Sequence, residues 1–293
     1  MTGKSGFAER NLKYIFPLPA VIFVILLMIF PVCYTIFISF TDWTLTSGRP
    51  MRFFGFGSYL LTLRDPRFHA AILRTFAFTF GAVAAEAVLG TIIALILYRE
   101  FRGRNLLKFV LLLPLVVTPV AVGIVFNLFY DPTIGFLNYV LHALGLPQSG
   151  WVTESATVLP SLALVDIWQW TPMIALIVLA GLSGLPGEPF ESAMVDGASG
   201  VQVFFRITLP MIMPTILTAV VLRAVDALKT YDIIYAMTKG GPGYSSETLN
   251  ILAYKLSFEY FNMGRSSTVL VFLFLIVFLF SLGVMRLRKK FEL

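Results

Sequence analysis

"FTFGAVAAEAVLGTIIALIL", Phe78–Leu97, is a run of twenty residues with a single ionisable side chain, Glu86. As an α-helix, a run of this length crosses a hydrocarbon core of roughly 30 Å and closes its backbone hydrogen bonds within itself. The stretch therefore predicts a transmembrane helix. Comparable apolar runs lie on both sides of it, and together they predict spans near Ile15–Phe40, Ala70–Tyr98, Leu106–Tyr130, Ala156–Leu182, Thr208–Leu228 and Ser267–Leu287. The composition agrees. Of 293 residues, 58% are hydrophobic and 13% charged, against roughly a quarter charged in soluble domains, and the mean hydropathy is +0.85. The fold class is all-α, a polytopic membrane protein of about six transmembrane helices. A transmembrane barrel would instead show alternating segments of about ten residues, which the sequence lacks.

The net charge of +6 does not point to nucleic acid, because the bases are spread among loops rather than gathered on one face. They read as topology signals. Six crossings place on one side Lys4, Arg10 and Lys13, then Arg99, Arg102, Arg104 and Lys108, then Arg206, then Arg286, Arg288, Lys289 and Lys290. By the positive-inside bias that side is the cytoplasm, with both termini on it. Arg49, Arg52, Arg64 and Arg67 fall in the first external loop and weaken the asymmetry, whereas the external stretch Asp131–Ser155 has no Lys or Arg. The first apolar run is longer than the 7–15 residues of a signal peptide's core and reads as a retained span. The expected organisation is a cytoplasmic tail over 1–14, a membrane domain over 15–288 with a cytoplasmic loop at about 187–208, and a second tail over 289–293. Cys33 is the only cysteine, so no intrachain disulfide forms. HExxH, GxSxG and Cys/His clusters are absent, and His69 and His142, the two histidines, fall in external loops. Neither catalysis nor a metal site is expected in this chain.

That cytoplasmic loop opens with "GLSGLPGEPF", Gly181–Phe190, whose glycines and prolines end the fourth span. "ESAMVDGASGVQVFFRITLP", Glu191–Pro210, follows. Phe190, Ala193, Met194 and Ala198 recur near helical spacing, with Glu191 and Asp196 off that stripe. This predicts a short amphipathic helix. A helix resting on lipid is expected to be rich in Lys and Arg; this one leads with acids, which favours a protein partner.

Glu191, Ser192 and Ala193, Gly197 four residues on, and then Ile207, Leu209 and Pro210 resemble the EAA loop of binding-protein-dependent ABC importer permeases. Ser192 departs from the family's usual Ala. "IWQWTPMIALIVLAGLSGLP" (Ile167–Pro186), the Phe78–Leu97 run and "TKGGPGYSSETLNILAYKLSFEYFNMG" (Thr238–Gly264) are similar to the carbohydrate-uptake branch, so the likeness covers most of residues 10–290. The resemblance implies a coupling helix that carries the closing motion of an ATPase into the membrane. Glu191 would offer it a carboxylate, Ala193 and Gly197 would allow close backbone approach, and Pro210 would set the angle at which the fifth span begins, with Asp196 and Ala198 belonging to the same coupling stretch. It further implies a second permease as heterodimer partner, two cytoplasmic ATPase subunits that bind the ATP and Mg, and an extracytoplasmic solute-binding protein. No cofactor is expected in this chain. The setting is a bacterial inner membrane and the cargo a sugar or related polyol. The alternative is an ion-gradient-driven secondary transporter or channel, for which a deep, unpaired Glu86 would be the coupling acid.

Charges within spans cost about 2.5–3.5 kcal/mol at a helix centre, so each requires a reason. Glu86 shares a face with Ala82, Gly90 and Ala94, a spacing that suits close helix packing around a buried acceptor; the alternative is a contact to substrate. Arg223, Asp226, Lys229 and Asp232 recur every third residue with alternating sign, as either a self-neutralising ladder on one helix or a polar wall of the translocation path. Trp168, Trp170, Tyr231 and Tyr235 could stack on a sugar ring or belong to interfacial belts. Asp166 accompanies the Trp pair, as an acceptor for hydroxyls or a cap of that helical region. Arg74 and Arg223 raise the possibility of an anionic cargo. "KGGPG", Lys239–Gly243, lacks the order of a phosphate-binding loop and reads as a sharp external turn.

Overall fold

Where backbone cannot bond to water it bonds to itself, and the long apolar runs are helices. The computed structural model describes residues 13, 14 and 16–291, with side chains through Arg286. Lys4 and Arg10, and the side chains of Arg288, Lys289 and Lys290, lie outside the described residues. The helices are α1 (Leu18–Ser39), α2 (Gly57–Leu63), α3 (Pro66–Tyr98), α4 (Arg104–Val116), α5 (Pro119–Phe129), α6 (Phe136–Ala143), α7 (Val158–Ser183), α8 (Glu188–Val195), α9 (Gly200–Ala227), α10 (Asp232–Thr238), α11 (Leu249–Tyr254) and α12 (Met263–Phe291). Each of α1, α3, α7, α9 and α12 is long and apolar enough to cross a membrane.

The third predicted span, Leu106–Tyr130, is not one straight helix. α4 and α5 meet at a bend of 100°. Val117 and Thr118 are extended, with ψ of 136° and 141°, and Thr118 precedes Pro119, whose ring disfavours helical backbone at the residue before it. Gln169 of α7 donates its side-chain N–H to the Val117 carbonyl at 3.0 Å, satisfying an acceptor that the break frees. Just beyond α5, the Asp131 carboxylate accepts from the Thr133 hydroxyl at 2.7 Å and from two backbone N–H groups. The Thr133 hydroxyl, followed by the backbone donors, holds that carboxyl below its ordinary range.

The chain forms two compact units, one of Met1–Asp65 with Ala253–Phe272 and one of Pro66–Leu252 with Leu273–Leu293. In the first, the turn after α1 is tied to the start of α12: Gly264 donates its N–H to Trp43 and sits where a Cβ would run into the Thr41 carbonyl. Arg265 pairs with Asp65 at 2.8 Å.

The second unit is built on α3, α7 and α9. Ala82, Glu86, Gly90 and Ala94 are all buried, as the steps of four require. A Cβ on Gly90 would lie 2.9 Å from the Ile174 side chain and 3.1 Å from the Ala175 nitrogen, so glycine is what permits this approach of α3 to α7. Below it, Ala94 and Leu97 pack with Ile174, Val178 and Leu182 of α7 and Ile212 and Ile216 of α9. Above it, the Arg223 guanidinium of α9 lies between two carboxylates. It contacts Glu86 of α3 at 2.9 Å and donates to Asp166 of α7, and none of the three side chains is more than 1% exposed. The predicted ladder along one helix therefore does not form. α9 ends at Ala227 and Asp232 opens α10, so Arg223 turns inward to partners on other helices, and within the series only Asp226 and Lys229 pair, at 3.3 Å on the surface. Glu86 is a packed, ion-paired acid rather than the unpaired one that gradient coupling would use.

Removing one member of a buried ionic cluster strands the others, at a cost of about 3–5 kcal/mol, whereas neutralising the cluster together costs far less. Arg223→Met alone is expected to lower the thermal unfolding midpoint in detergent markedly, and adding Glu86→Gln and Asp166→Asn is expected to restore most of the loss. Gly90→Leu should destabilise by about 1–3 kcal/mol through overpacking against Ile174, read in the same assay.

Candidate functional site: a polar cavity and a cytoplasmic handle

Four residues, 228–231, separate the end of α9 from the start of α10, and this turn borders a cavity of about 270 Å³. Asp166 and Trp170 line it from α7, Arg223 and Asp226 from α9, and Tyr231 and Asp232 from the turn and α10. The structure thus brings six of the sequence-predicted path residues to one place. It does so by packing rather than by periodicity. The guanidinium carbon of Arg223 lies 5.2 Å from the Trp170 ring centre, within cation–π range. Lys229, Thr230 and Pro119 complete the polar and turn-forming part of the lining; Pro119 reaches the cavity because the third span breaks just before it.

Trp168 is the exception. Two residues along a helix from Trp170, it points elsewhere, is 47% exposed and packs on Phe126 at 5.3 Å between ring centres. Tyr235 stacks on Tyr231 at 5.2 Å. Asp166 caps no helix end; it is held by Arg223 inside α7. Arg74 lies outside the cavity lining and donates to the Glu247 carbonyl at 2.9 Å, while Arg67 binds the Glu247 carboxylate through two N–H groups. Lys239–Gly243 is a sharp turn, with Lys239, Gly240 and Gly243 at φ of 50°, 85° and 58°. Among the described residues, no group of three or more His, Cys, Asp or Glu is placed to hold a metal ion. The cavity can offer carboxylate acceptors, ammonium and hydroxyl donors and aromatic faces to a polyhydroxylated molecule.

The second candidate site is the loop between α7 and α9. Glu191, Ser192 and Ala193 lie on α8, with Glu191 and Ser192 exposed and Ala193 buried. Asp196 follows as its C-cap, and Gly197 takes a left-handed φ of 70°. The Gly197 N–H bonds to Met194 at 3.2 Å and the Ala198 N–H to Ala193 at 2.9 Å, the paired closure of a Schellman motif. A Cβ on Gly197 would meet nothing within 4 Å, so within this chain its backbone conformation, rather than close approach, demands glycine. Ser199 then starts α9 with a capping box, its hydroxyl accepting from the Gln202 N–H and the Gln202 side chain accepting from the Ser199 N–H. The Ser-x-x-Gln spacing at 199–202 is legible in the sequence as a helix start. It moves the start of α9 from the predicted Thr208 to Gly200, and Pro210 consequently sits inside a continuous helix. There it follows a π-helical turn at Phe204–Thr208, where its missing N–H leaves the Arg206 carbonyl without that donor. Ile207 and Leu209 are half-buried, and Ala198 likewise. Met194, Val195, Val201 and Phe205 are exposed, at 61% or more. Phe190, Phe204 and Thr208 back onto Tyr98 and Leu182 around a second cavity of about 330 Å³.

The chain as a whole is similar to known proteins. Residues 86–292 match the family described as binding-protein-dependent transport system inner membrane component. The chain is 33% identical over 293 residues to the trehalose/maltose transport system permease protein MalF of Thermococcus litoralis, covering 99% of this chain and 97% of that one. It is 33% identical over 266 residues to the sulfoquinovosyl glycerol transport system permease protein SmoG of Agrobacterium fabrum, covering 91% and 86%. In fold it is similar to a chain of a bacterial ABC transporter involved in the import of the acidic polysaccharide alginate, with a TM-score of 0.83, 21% identity and 97% of each chain covered. The chain belongs to the family of inner-membrane components of binding-protein-dependent transport systems, the permeases of ABC transporters, and is in that family a transport subunit rather than an enzyme.

Proposed function

We propose that the chain is the permease subunit of an ATP-driven importer for a sugar or related polyol. It works as a heterodimer with a second permease, over two cytoplasmic ATPase subunits that bind the ATP and Mg, and receives cargo from an extracytoplasmic binding protein. The membrane domain spans 15–288, its tails at 1–14 and 289–293 are cytoplasmic, and the membrane is a bacterial inner membrane. The observation that carries this reading is the α8–α9 handle. A short helix led by Glu188 and Glu191, closed by Gly197 and joined to a capped span, presents Met194, Val195, Val201 and Phe205 outward. Exposed apolar groups beside acids on a loop too polar to cross the membrane suit a protein cleft. ATP-driven closure of the ATPases draws such handles together and opens the cavity outward; cargo and ATP shift the equilibrium because both favour that state. Support for carbohydrate cargo comes from the relatives named for trehalose/maltose and sulfoquinovosyl glycerol transport and from the acids and aromatic faces of the cavity.

A β-branched residue at Gly197 meets roughly 1–2 kcal/mol of left-handed backbone strain. Gly197→Val is therefore expected to lower ATP-driven sugar uptake by about tenfold in proteoliposomes carrying the full complex, with reduced retention of the ATPase subunits in a pull-down. Unchanged uptake and retention would remove the handle from the coupling path.

A further inference from the structure

The second cavity, of about 330 Å³, lies where the ends of α3 and α7 meet the handle and the start of α9. Its wall is apolar: Leu95 comes from α3, Leu182 from α7, Leu185 from the turn that follows, and Phe190 and Phe204 from the handle and α9. One lining residue is charged, Arg99, and beside it in the chain stands Tyr98 with its hydroxyl.

The fold does not use that cation. Among the described residues no ion pair or hydrogen bond engages the Arg99 guanidinium or the Tyr98 hydroxyl, and both residues are exposed. The Leu97 carbonyl, freed where α3 ends, is taken instead by Arg104 of α4, which donates to it at 2.6 Å. Arg99 is left at the rim of an apolar pocket with its donors open. The outer face of α3 continues the pattern: Ile92, Leu95, Ile96 and Arg99 follow one another at steps of three and four, and Ile92 and Ile96 are exposed.

An apolar stripe that ends in a cation, beside an apolar pocket, has the division of an anionic phospholipid. The guanidinium and the Tyr98 hydroxyl suit the phosphate, and the isoleucines and the pocket wall suit an acyl chain. A soluble phosphorylated ligand would leave the hydrocarbon wall unmatched. An ATPase cleft is met by a different face: Gly200, Val203 and Phe204 of α9 line this cavity, whereas Val201 and Phe205 fall off that face and are exposed.

We propose that this pocket holds one anionic phospholipid of the cytoplasmic leaflet, wedged between the span ends and the handle, and that the setting of the handle for coupling depends on it. The inference goes beyond the importer reading and rests on it for the topology and for the role of the handle. Arg99, Arg102, Lys108 and Arg206 all fall on the predicted cytoplasmic side, which favours an anionic headgroup over a zwitterionic one; of these, Arg99 alone lines the pocket.

The test uses the full complex, with phosphatidylglycerol as the probe in nanodiscs of phosphatidylcholine. Lipid that stays with the complex on extraction into mild detergent is counted by native mass spectrometry. Arg99→Gln is expected to weaken retention of phosphatidylglycerol about fivefold, and Arg102→Gln, at a basic residue outside the pocket, to change it far less. In proteoliposomes of the same lipids, ATP-driven uptake by the native complex should rise with phosphatidylglycerol, and Arg99→Gln should lose that response. Equal losses of retention in the two variants would mean diffuse surface charge and overturn the proposal. Binding of the soluble headgroup, glycerophosphoglycerol, as tightly as the intact lipid would overturn it without any variant, since the apolar pocket would then be unused. Loss of the ATPase subunits from the Arg99→Gln complex in either membrane would assign the pocket to the ATPase instead. Uptake indifferent to phosphatidylglycerol would overturn the dependence of the handle on the lipid. A native complex that retains the lipid through Arg99 yet takes up no sugar would reject the importer reading and leave the lipid site standing.

Discussion

One guanidinium held between two carboxylates from two other helices is the constraint on which the second unit depends. Burying charge in a membrane protein is costly, and a cluster recovers that cost only when its geometry is good and its members are delivered together. Arg223 comes from α9, Glu86 from α3 and Asp166 from α7. Their register is set by apolar packing below them, where Gly90 admits Ile174 and Ala94 and Leu97 meet α7 and α9. The small residues on α3 and the acid among them thus serve one purpose. Ala82, Gly90 and Ala94 let the helices approach closely enough for Glu86 to reach Arg223, and the ion contact penalises any sliding of one helix past another.

The break in the third span solves a related problem. An extended pair of residues within an apolar segment exposes backbone carbonyls that lipid cannot satisfy. Gln169 supplies a donor to Val117 from the same helix, α7, that carries Asp166 and Trp170. Beyond the break, α5 packs against α10, with Gly123 facing Ala236 and Met237 and the Asn127 amide donating to the Met237 carbonyl at 3.3 Å. The irregular backbone lies where the unit also forms its polar cavity. Non-helical structure at membrane depth is tolerated where protein rather than lipid surrounds it.

What could be read in the sequence follows from the range of each interaction. Apolar runs are local, so the helices were legible, and so was the buried face of α3 from Ala82, Glu86, Gly90 and Ala94. The handle was legible as an amphipathic element, although the left-handed Gly197 and the Ser199–Gln202 capping box, both short-range, carried more about its backbone than the spacing of its apolar residues did. Arg223 shows where such reading stops. Every third residue from 223 to 232 carries a charge, and that regularity suggests one helical face; the true partners lie 137 and 57 positions earlier in the chain, at Glu86 and Asp166. The two tryptophans make the same point at shorter range. Trp168 and Trp170 differ by two positions, and only packing against Phe126 and Arg223 decides which one reaches the cavity.

The handle and the cavity, read separately, are joined by one element. α9 begins at Gly200, immediately after the handle's closing turn, and carries Arg223 and Asp226 near its other end. Its 28 residues make an almost continuous rod of roughly 40 Å, interrupted in regularity only by the π-helical turn before Pro210. Under the proposed function, force applied at Gly197–Ser199 reaches the cavity through that rod without crossing a flexible loop. The rod's far end is the residue that α3 and α7 hold from both sides. A displacement of α9 must therefore either carry those helices with it or break the contacts of Arg223 with Glu86 and Asp166. A buried ionic cluster resists partial rupture far more than apolar packing does, so α3, α7 and α9 are expected to move as one body, with rearrangement confined to the turn at Leu228–Tyr231 and to α10. That is the part of the cavity where the exposed Lys229 and Asp232 lie, outside the triad and able to change partners when the cavity opens.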